Sequence, residues 1–580
     1  MAQDDFDPKL GRIKDARRAR ALRHATLVFQ QAGKHGARAL RHKGHISPAT
    51  PKRGMGAGVR AVAGLIAPGS RRVIVKARYT RIVAGDLGAA RAHLKYIVRD
   101  GVTREDEPGR LYGPTSDDLD GGAFLDRSEK DPHQFRFVVS ADEGARLADL
   151  KPFIRDLMAQ MERDLDTKLD WVAVDHFNTG HPHTHIVIRG RDDQGKDLVM
   201  ARDYIGHGVR ARAQSLITLE LGPESEVERM QKLFDEVGQE RLTRLDRSLM
   251  AGARNGILVV TSEQEQDPVQ RTLRVGRLKA LERLGLAEER QQGVWVLDAK
   301  TETKLRQLGE RADKFKMMQR ALKEAGIDRG AAAMALFERG PRKVPLIGKV
   351  VGVGMVDEIT DRTWVVVDAV DGRVHYAELG RLRPANVPAR GTIVALASHN
   401  VQGKPSPAPR LQVLSAVEVE RHTTYDGPTW LDQAIISKWR PDPQMRGFAT
   451  NLQDALVARG RWLADRKLAE VSPAGVIAPK PDMMRHLRQA ETERLVRDLS
   501  RHLNSAYIHT EPGVRISGVY DRAITTPTGK IAVIRRQDTF TLAPWKPALE
   551  PFKGRAVMGL VGPTRVTWTL DRGRGLPGRS

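Results

Sequence analysis

Residues 175–190 read DHFNTGHPHTHIVIRG and hold four of the 17 histidines in the 580-residue chain. A strand over LDWVAVDH (169–176) places Val172, Val174 and His176 on one face, because strand side chains alternate sides. A second strand over HTHIVIRG (183–190) does the same for His183, His185 and Val187. A short turn stiffened by Pro182 joins them, so the pattern predicts a hairpin that gathers His176, His183 and His185. Three neutral imidazoles about 2.1 Å from a common point hold a first-row divalent ion and leave positions for substrate. His181 precedes the proline and falls outside the alternation, which suits a role facing substrate or supporting the ligands.

Composition narrows what such an ion would act on. The formal net charge is +24, with Lys and Arg spread along the chain, and nucleic acid is the commonest partner of so cationic a protein. Cysteine is absent, which excludes a thiolate zinc site, a disulfide framework and a Cys nucleophile. A metal in a basic protein suits a phosphodiester: it polarises a phosphoryl oxygen while water or a side chain attacks. No run approaches 18 apolar residues, so no membrane span is expected, and the charged N-terminus has no signal-peptide core. A cytoplasmic protein is the expectation. No phosphate-binding G-x-x-x-x-G-K-[ST] loop is present, so a helicase motor is not expected in the chain.

The elements that must position these histidines read as α+β. Residues 1–70 are Arg-, Gly- and Ala-rich and are expected to form a basic disordered arm, with one helix near 15–31. From Arg71, RRVIVKARYTRIV alternates as a strand, and GDLGAARAHLKYIVRDG reads as a helix with Asp86 as N-cap and Gly101 as stop. HQFRFVVS (133–140) is a second strand, residues 147–165 an amphipathic helix, and the histidine hairpin follows. This order predicts an antiparallel sheet with the hairpin at its centre and helices on one face.

Beyond residue 225 a repeat appears. LAEERQQGVWVLDAKTETKLRQ from Leu286 and LAEVSPAGVIAPKPDMMRHLRQ from Leu468 share Leu-Ala-Glu, Gly-Val and Leu-Arg-Gln at a constant offset of 182. Each follows a helix and precedes a β-rich stretch, the pattern of a duplicated winged-helix-like unit with a small β module. The expected organisation is an arm (1–70), a histidine-bearing domain (71–225), a helical region with the first unit (226–345) and a β-rich module (346–415). A helical region with the second unit (416–512) and a β-rich module with a basic tail (513–580) complete it.

HFNTGHPHTH resembles the third motif of plasmid relaxases, the MobA/TraI and VirD-type mobilisation nucleases of the HUH endonuclease superfamily. In that motif a histidine is followed seven and nine residues later by His-x-His, as are His176, His183 and His185. AHLKYIVRDG resembles the first motif, which carries the nucleophilic tyrosine, here Tyr96; FRFVVSADEG is similar to the second, whose serine, here Ser140, helps hold DNA. The resemblance covers roughly 71–225, and VirD-type relaxases that carry a DUF3363 region would extend it over most of 240–580. It implies a relaxase, a metal-dependent endonuclease. Its tyrosine nicks one strand at a transfer origin, stays on the 5′ end as a phosphotyrosine, and later rejoins the strand. Mg²⁺ or Mn²⁺ is the implied cofactor. Single-stranded DNA, duplex DNA at the C-terminal units, a type IV secretion coupling protein and accessory mobilisation proteins are the implied partners, with export alongside the DNA.

Asn178 and Thr179 stand where many relatives carry an acidic residue, which leaves His181 as the candidate acceptor of the tyrosine proton. Arg189 and Arg191 flank Gly190 where relatives often have Asn-Arg, and still offer cations to a phosphate backbone. Tyr79, Tyr112 and Tyr204 rival Tyr96 as nucleophile, and Tyr204, among basic residues, is a candidate DNA contact. Two other functions compete. A non-catalytic accessory DNA-binding protein would need no metal, and a metal-dependent phosphodiesterase using water would form no covalent adduct.

Overall fold

The computed structural model describes residues 69–569 except 83–86, 99–101, 105–106, 178–181, 262, 264, 339–343, 358–361, 383–385, 399, 402–403, 407, 474, 512 and 563–565. The expected arm, with its helix near 15–31, lies outside the described residues, as do Asp86, Gly101 and His181. The chain divides into two compact units, 1–309 and 310–580.

The first unit opens with β1 (Val73–Arg81), α1 (Gly88–Ile97), α2 (Gly121–Arg127), β2 (His133–Ala141), α3 (Lys151–Leu165), β3 (Trp171–His176), β4 (His183–Arg189) and α4 (Val209–Leu221). The strands form an antiparallel sheet of order β1-β2-β4-β3. α1 buries Ala90, His93, Leu94 and Ile97, a spacing that puts one stripe of the helix on the sheet. α3 presents Phe153, Ile154, Leu157, Met158, Met161 and Leu165 in the same way, and ends at Asp166, whose φ of 52° breaks the helix.

Two expectations are corrected here. The histidine hairpin is not central: β2 docks on β4 and leaves β3 at the edge, where Tyr112 exchanges backbone hydrogen bonds with Ala173 and covers it. Nor do helices occupy one face only. Phe137, Ala173 and Ile186 pack under α3 and α4, whereas Val172, Val174 and Val187 pack under α1 and α2. The reason lies in the composition of β3 and β4. WVAV and IVI are apolar at consecutive positions, so both sides of the sheet need cover.

The unit continues with α5 (Glu226–Val237), α6 (Arg244–Gly252), β5 (Ile257–Val259), α7 (Pro268–Arg283), β6 (Ala287–Gln291), β7 (Val294–Leu297) and α8 (Thr301–Glu324), inside which the chain passes to the second unit. That unit holds β8 (Met334–Leu336), β9 (Leu346–Asp357), β10 (Arg362–Ala369), β11 (Val374–Arg381), β12 (Ile393–Ala397), the short pair β13 (Asn400–Val401) and β14 (Lys404–Pro405), and β15 (Arg410–Ser415). Then come α9 (Trp430–Ile436), α10 (Phe448–Asp465), β16 (Ala469–Val471), β17 (Ile477–Pro479) and α11 (Met483–Leu503). The last elements are β18 (Ala506–Tyr507), β19 (Arg515–Thr526), β20 (Gly529–Arg536), β21 (Thr539–Pro544), β22 (Ala556–Val561) and β23 (Val566–Thr569).

The duplication read from the offset of 182 is visible element by element. Helix, helix, hairpin, long helix and six strands recur in order, and the two sheets share one topology: β15-β12-β9-β10-β11-β8 and β23-β22-β19-β20-β21-β18. In each, the strand after the long helix pairs in parallel, β8 with β11 and β18 with β21. Each copy also holds a fully buried Arg–Asp pair. Arg277 donates to both Asp246 oxygens at 2.7 and 2.8 Å and to the carbonyls of Gln239 and Arg241. Arg459, 182 residues on, donates to both Asp432 oxygens at 2.8 and 2.9 Å and to the carbonyls of Tyr425 and Gly427. Each aspartate also closes a capping box with the threonine three residues before it, Thr243 or Thr429.

Candidate metal centre

In the β3–β4 ladder His176 stands opposite His183, and Val174 opposite His185. Residues opposite one another in an antiparallel pair share a face, so this register puts all three imidazoles on the α1 side of the sheet. Their ring centroids are 4.4–5.2 Å apart, and one nitrogen from each lies within 4.8 Å of the others. All three side chains are buried, with exposures of 0, 7 and 2% for His176, His183 and His185. Ligands about 2.1 Å from a shared ion lie roughly 3–3.5 Å from each other, so small ring movements suffice to close the set. The donor set fits a metal. Three imidazoles without a carboxylate suit Mn, Co, Ni or Zn, while Mg prefers oxygen.

The surroundings hold the rings in place. His176 Nε2 donates to the Ile97 carbonyl at 2.6 Å, which makes Nδ1 its basic nitrogen, the usual way a backbone carbonyl orients a ligating histidine. The acceptor sits in the last turn of α1, where carbonyls have no intrahelical partner. Tyr96 is the residue before Ile97, half-buried against the Leu94–Val174 cluster. The helix end that carries the tyrosine is therefore bonded to a histidine of the triad. Ser140 Oγ donates to the Pro182 carbonyl at 3.1 Å, tethering the residue before His183 to the end of β2.

Other sequence-predicted residues fall elsewhere. Asp175 points to the opposite face, as alternation requires, and accepts from Thr184 Oγ1 at 2.6 Å and Tyr112 Oη at 2.8 Å. Burial pushes its carboxyl up to about 6, against the lowering effect of both hydrogen bonds. Burial, and then the charge of Asp175, push the Tyr112 phenol well above its ordinary value, so this rival nucleophile is committed to the core. A cleft of about 270 Å³ beside the β3 edge is lined by Arg104, Arg110, Tyr112, Lys151 and Asp175, among others. Tyr79 is 50% exposed on β1 and packs against His133 with ring centroids 4.6 Å apart.

The three other residues expected to contact DNA have partners within the protein. Tyr204 has no exposed surface and donates to Asp164, which also takes a bidentate contact from Arg212; burial raises its phenol as well. Arg189 is held bidentately by Asp131 at 2.9 Å and by Asp170 at 3.0 Å. It ends β4 six residues from His183, about 20 Å away at strand rise. Arg191 pairs with Asp197 at 2.7 Å and donates to the Gly195 carbonyl. Both arginines are thus paired with local carboxylates.

The sheet supplies a cation row that the sequence reading missed. Val174, His185, Val138 and Lys76 are successive cross-strand partners, so exposed Lys76 shares the histidine face two strands from His185. Arg78, half-buried, follows in the next row with Arg136 and Val187. The signal was the alternation of VIVKARYTR itself, whose even positions are Ile74, Lys76 and Arg78.

Residues 274–408 and 404–577 match a family described as Protein of unknown function (DUF3363). The match covers more than half of the chain, which belongs to the DUF3363 family, and it falls within the region, 240–580, expected to carry it. No curated protein and no solved structure matches the chain. No helix among the described residues is long and apolar enough to cross a membrane.

Proposed function

We propose that the chain is a metal-dependent DNA strand transferase of the relaxase type, acting through Tyr96. The observation that supports this best is the convergence of three buried imidazoles, one of them bonded to the helix end that carries that tyrosine. The Tyr96 oxygen attacks a phosphodiester of one strand; the new O–P bond forms as the bond to the 3′ oxygen breaks. The 3′ oxygen leaves as a hydroxyl, and the protein stays on the 5′ phosphate. The reverse transfer rejoins the strand without ATP, because one phosphodiester is exchanged for another.

A free tyrosine is mostly protonated at pH 7, so an acceptor must take its proton. His181, the candidate acceptor, lies outside the described residues. His176, His183 and His185 would hold a divalent ion, which would supply charge to the phosphoryl oxygens. The chain's own contribution is positional. Ile97 orients His176, Ser140 holds the residue before His183, and Lys76 lies about 10 Å from His185, two strand spacings away, within reach of a neighbouring phosphate. In this reading the partners are single-stranded DNA at a transfer origin and a secretion-channel coupling protein.

Covalent capture tests it. Purified protein is incubated with single-stranded DNA from candidate transfer origins of its own replicon, with Mn²⁺ or Mg²⁺, and run on denaturing gels. The expected result is a boil-resistant protein–DNA band that is lost in Tyr96→Phe and in His183→Ala/His185→Ala. Nicking that survives Tyr96→Phe would move the nucleophile to water or another tyrosine. Tight duplex binding without cleavage would favour an accessory DNA-binding protein.

A further inference from the structure

The two copies of the repeated unit share a skeleton but not a surface. In the first, α7 runs directly into the β6–β7 hairpin, and β5 completes a three-stranded sheet of order β5-β7-β6. A helix followed by a hairpin, with a third strand beside the hairpin's second strand, resembles the recognition helix and wing of a winged helix-turn-helix unit, which lays that helix in the DNA major groove. In the second copy the spacing between the paired Asp and Arg is 27 residues instead of 31, and the sheet has only β16 and β17. Its α9 and α10 also share their core with Ile393, Val370 and Ile347 of the six-stranded sheet.

The charge on the second helix differs in the same sense. Apart from the buried Arg277, α7 carries Arg271, Arg274, Lys279 and Arg283 against Glu282. Apart from the buried Arg459, α10 carries Arg461 against Asp454 and Asp465. Thr272, Lys279 and Arg283 are all exposed and, seven and four residues apart, form one stripe of α7. At the offset of 182 their places are taken by Asp454, Arg461 and Asp465, which turns the stripe from cationic to net acidic.

We propose that the first copy alone binds duplex DNA, with α7 in the major groove and Lys279 and Arg283 on backbone phosphates. The second copy is a packing module, and its helix pair serves the core it shares with the sheet. The inference stands on residues 244–297 and rests on no step of the strand-transfer reading.

The test is fluorescence anisotropy of the full chain on a mixed-sequence 30-base-pair duplex and on the matching single strand, across a salt series. Lys279→Gln/Arg283→Gln is compared with Arg461→Gln in the second copy; all three positions are exposed, and unchanged melting curves confirm folding. Losing two phosphate contacts is expected to lower the salt slope on duplex by about 2 and the affinity at 0.15 M salt by roughly 30-fold. Arg461→Gln is expected to bind duplex within twofold of wild type, and the single strand to bind all proteins alike. Unchanged duplex binding by the double variant, an equal loss in Arg461→Gln, or an equal loss on the single strand would each overturn the proposal.

Discussion

Replacing Arg459 by Met should destabilise the second helical unit more than any surface change. Arg459 and Asp432 have no exposed side-chain surface, and the guanidinium meets both carboxylate oxygens and two backbone carbonyls. Met preserves the apolar stem but leaves Asp432 buried with only Thr429 as donor, and it strands the carbonyl of Gly427 while that of Tyr425 keeps only the Gly427 N–H. Breaking a buried ion pair from one side costs about 3–5 kcal/mol. With a urea m-value of about 2 kcal/mol/M, the midpoint of this unit falls by roughly 2 M. The arginine lies 4.3 Å over the Trp462 ring, so tryptophan emission follows the transition. Arg459→Met/Asp432→Leu, which removes both charges, should recover most of the loss. Arg277→Met, with the equivalent contacts in the first copy, should cost a similar amount. The reasoning fails if the single substitution costs under about 1 kcal/mol, since the guanidinium would then be solvated. It fails also if the double variant is no better than the single.

Other outcomes follow from the same geometry. Mn²⁺ or Zn²⁺ should raise the melting temperature of the wild-type chain, with about 2.7 kcal/mol gained at a hundredfold excess over Kd; His183→Ala/His185→Ala should abolish both this shift and the calorimetric binding heat. Burial pushes the His422 imidazole down to about 4, so in the folded chain it resists protonation that the unfolded chain accepts near 6.5. The stability of its unit is therefore full above about pH 6.5 and declines as pH falls toward 4, by on the order of 3 kcal/mol; His422→Gln should flatten that decline in urea titrations. Lys467 closes α10 with a φ of 59°, whereas the equivalent residue after α7 is Gly285 at 66°. Lys467→Gly should raise the stability of the second unit by about 0.5–1 kcal/mol, read as a higher urea midpoint, and a lower midpoint would show that the Lys467 side chain matters more than its backbone.

Much of the site was legible because alternation is a local property. His183 and His185 share a face of β4 by period two alone, and Asp175 faces away from His176 on β3 for the same reason. The partners of Arg189 and Tyr204 were not legible because they are remote: Asp131 lies 58 residues before Arg189, and Asp164 lies 40 before Tyr204. Nothing local says whether a cation is already neutralised or a phenol already buried. The duplication was readable from matching residues at a constant offset, but its buried Arg–Asp pairs were not. Their partners stand 31 and 27 residues apart, and only packing brings them together.

By itself the sequence determined which residues could hold an ion, which strands alternate, and that one unit occurs twice, because periodicity and spacing are written in the chain. Tertiary structure decided the register that sets His176 against His183, the placing of the hairpin at the sheet edge, and the helices on both faces. It also decided which cations stay exposed on the histidine face. A shift of one residue between β3 and β4 would turn His183 and His185 to the other side of the sheet, and only burial of both faces under four helices selects the register that gathers the three imidazoles.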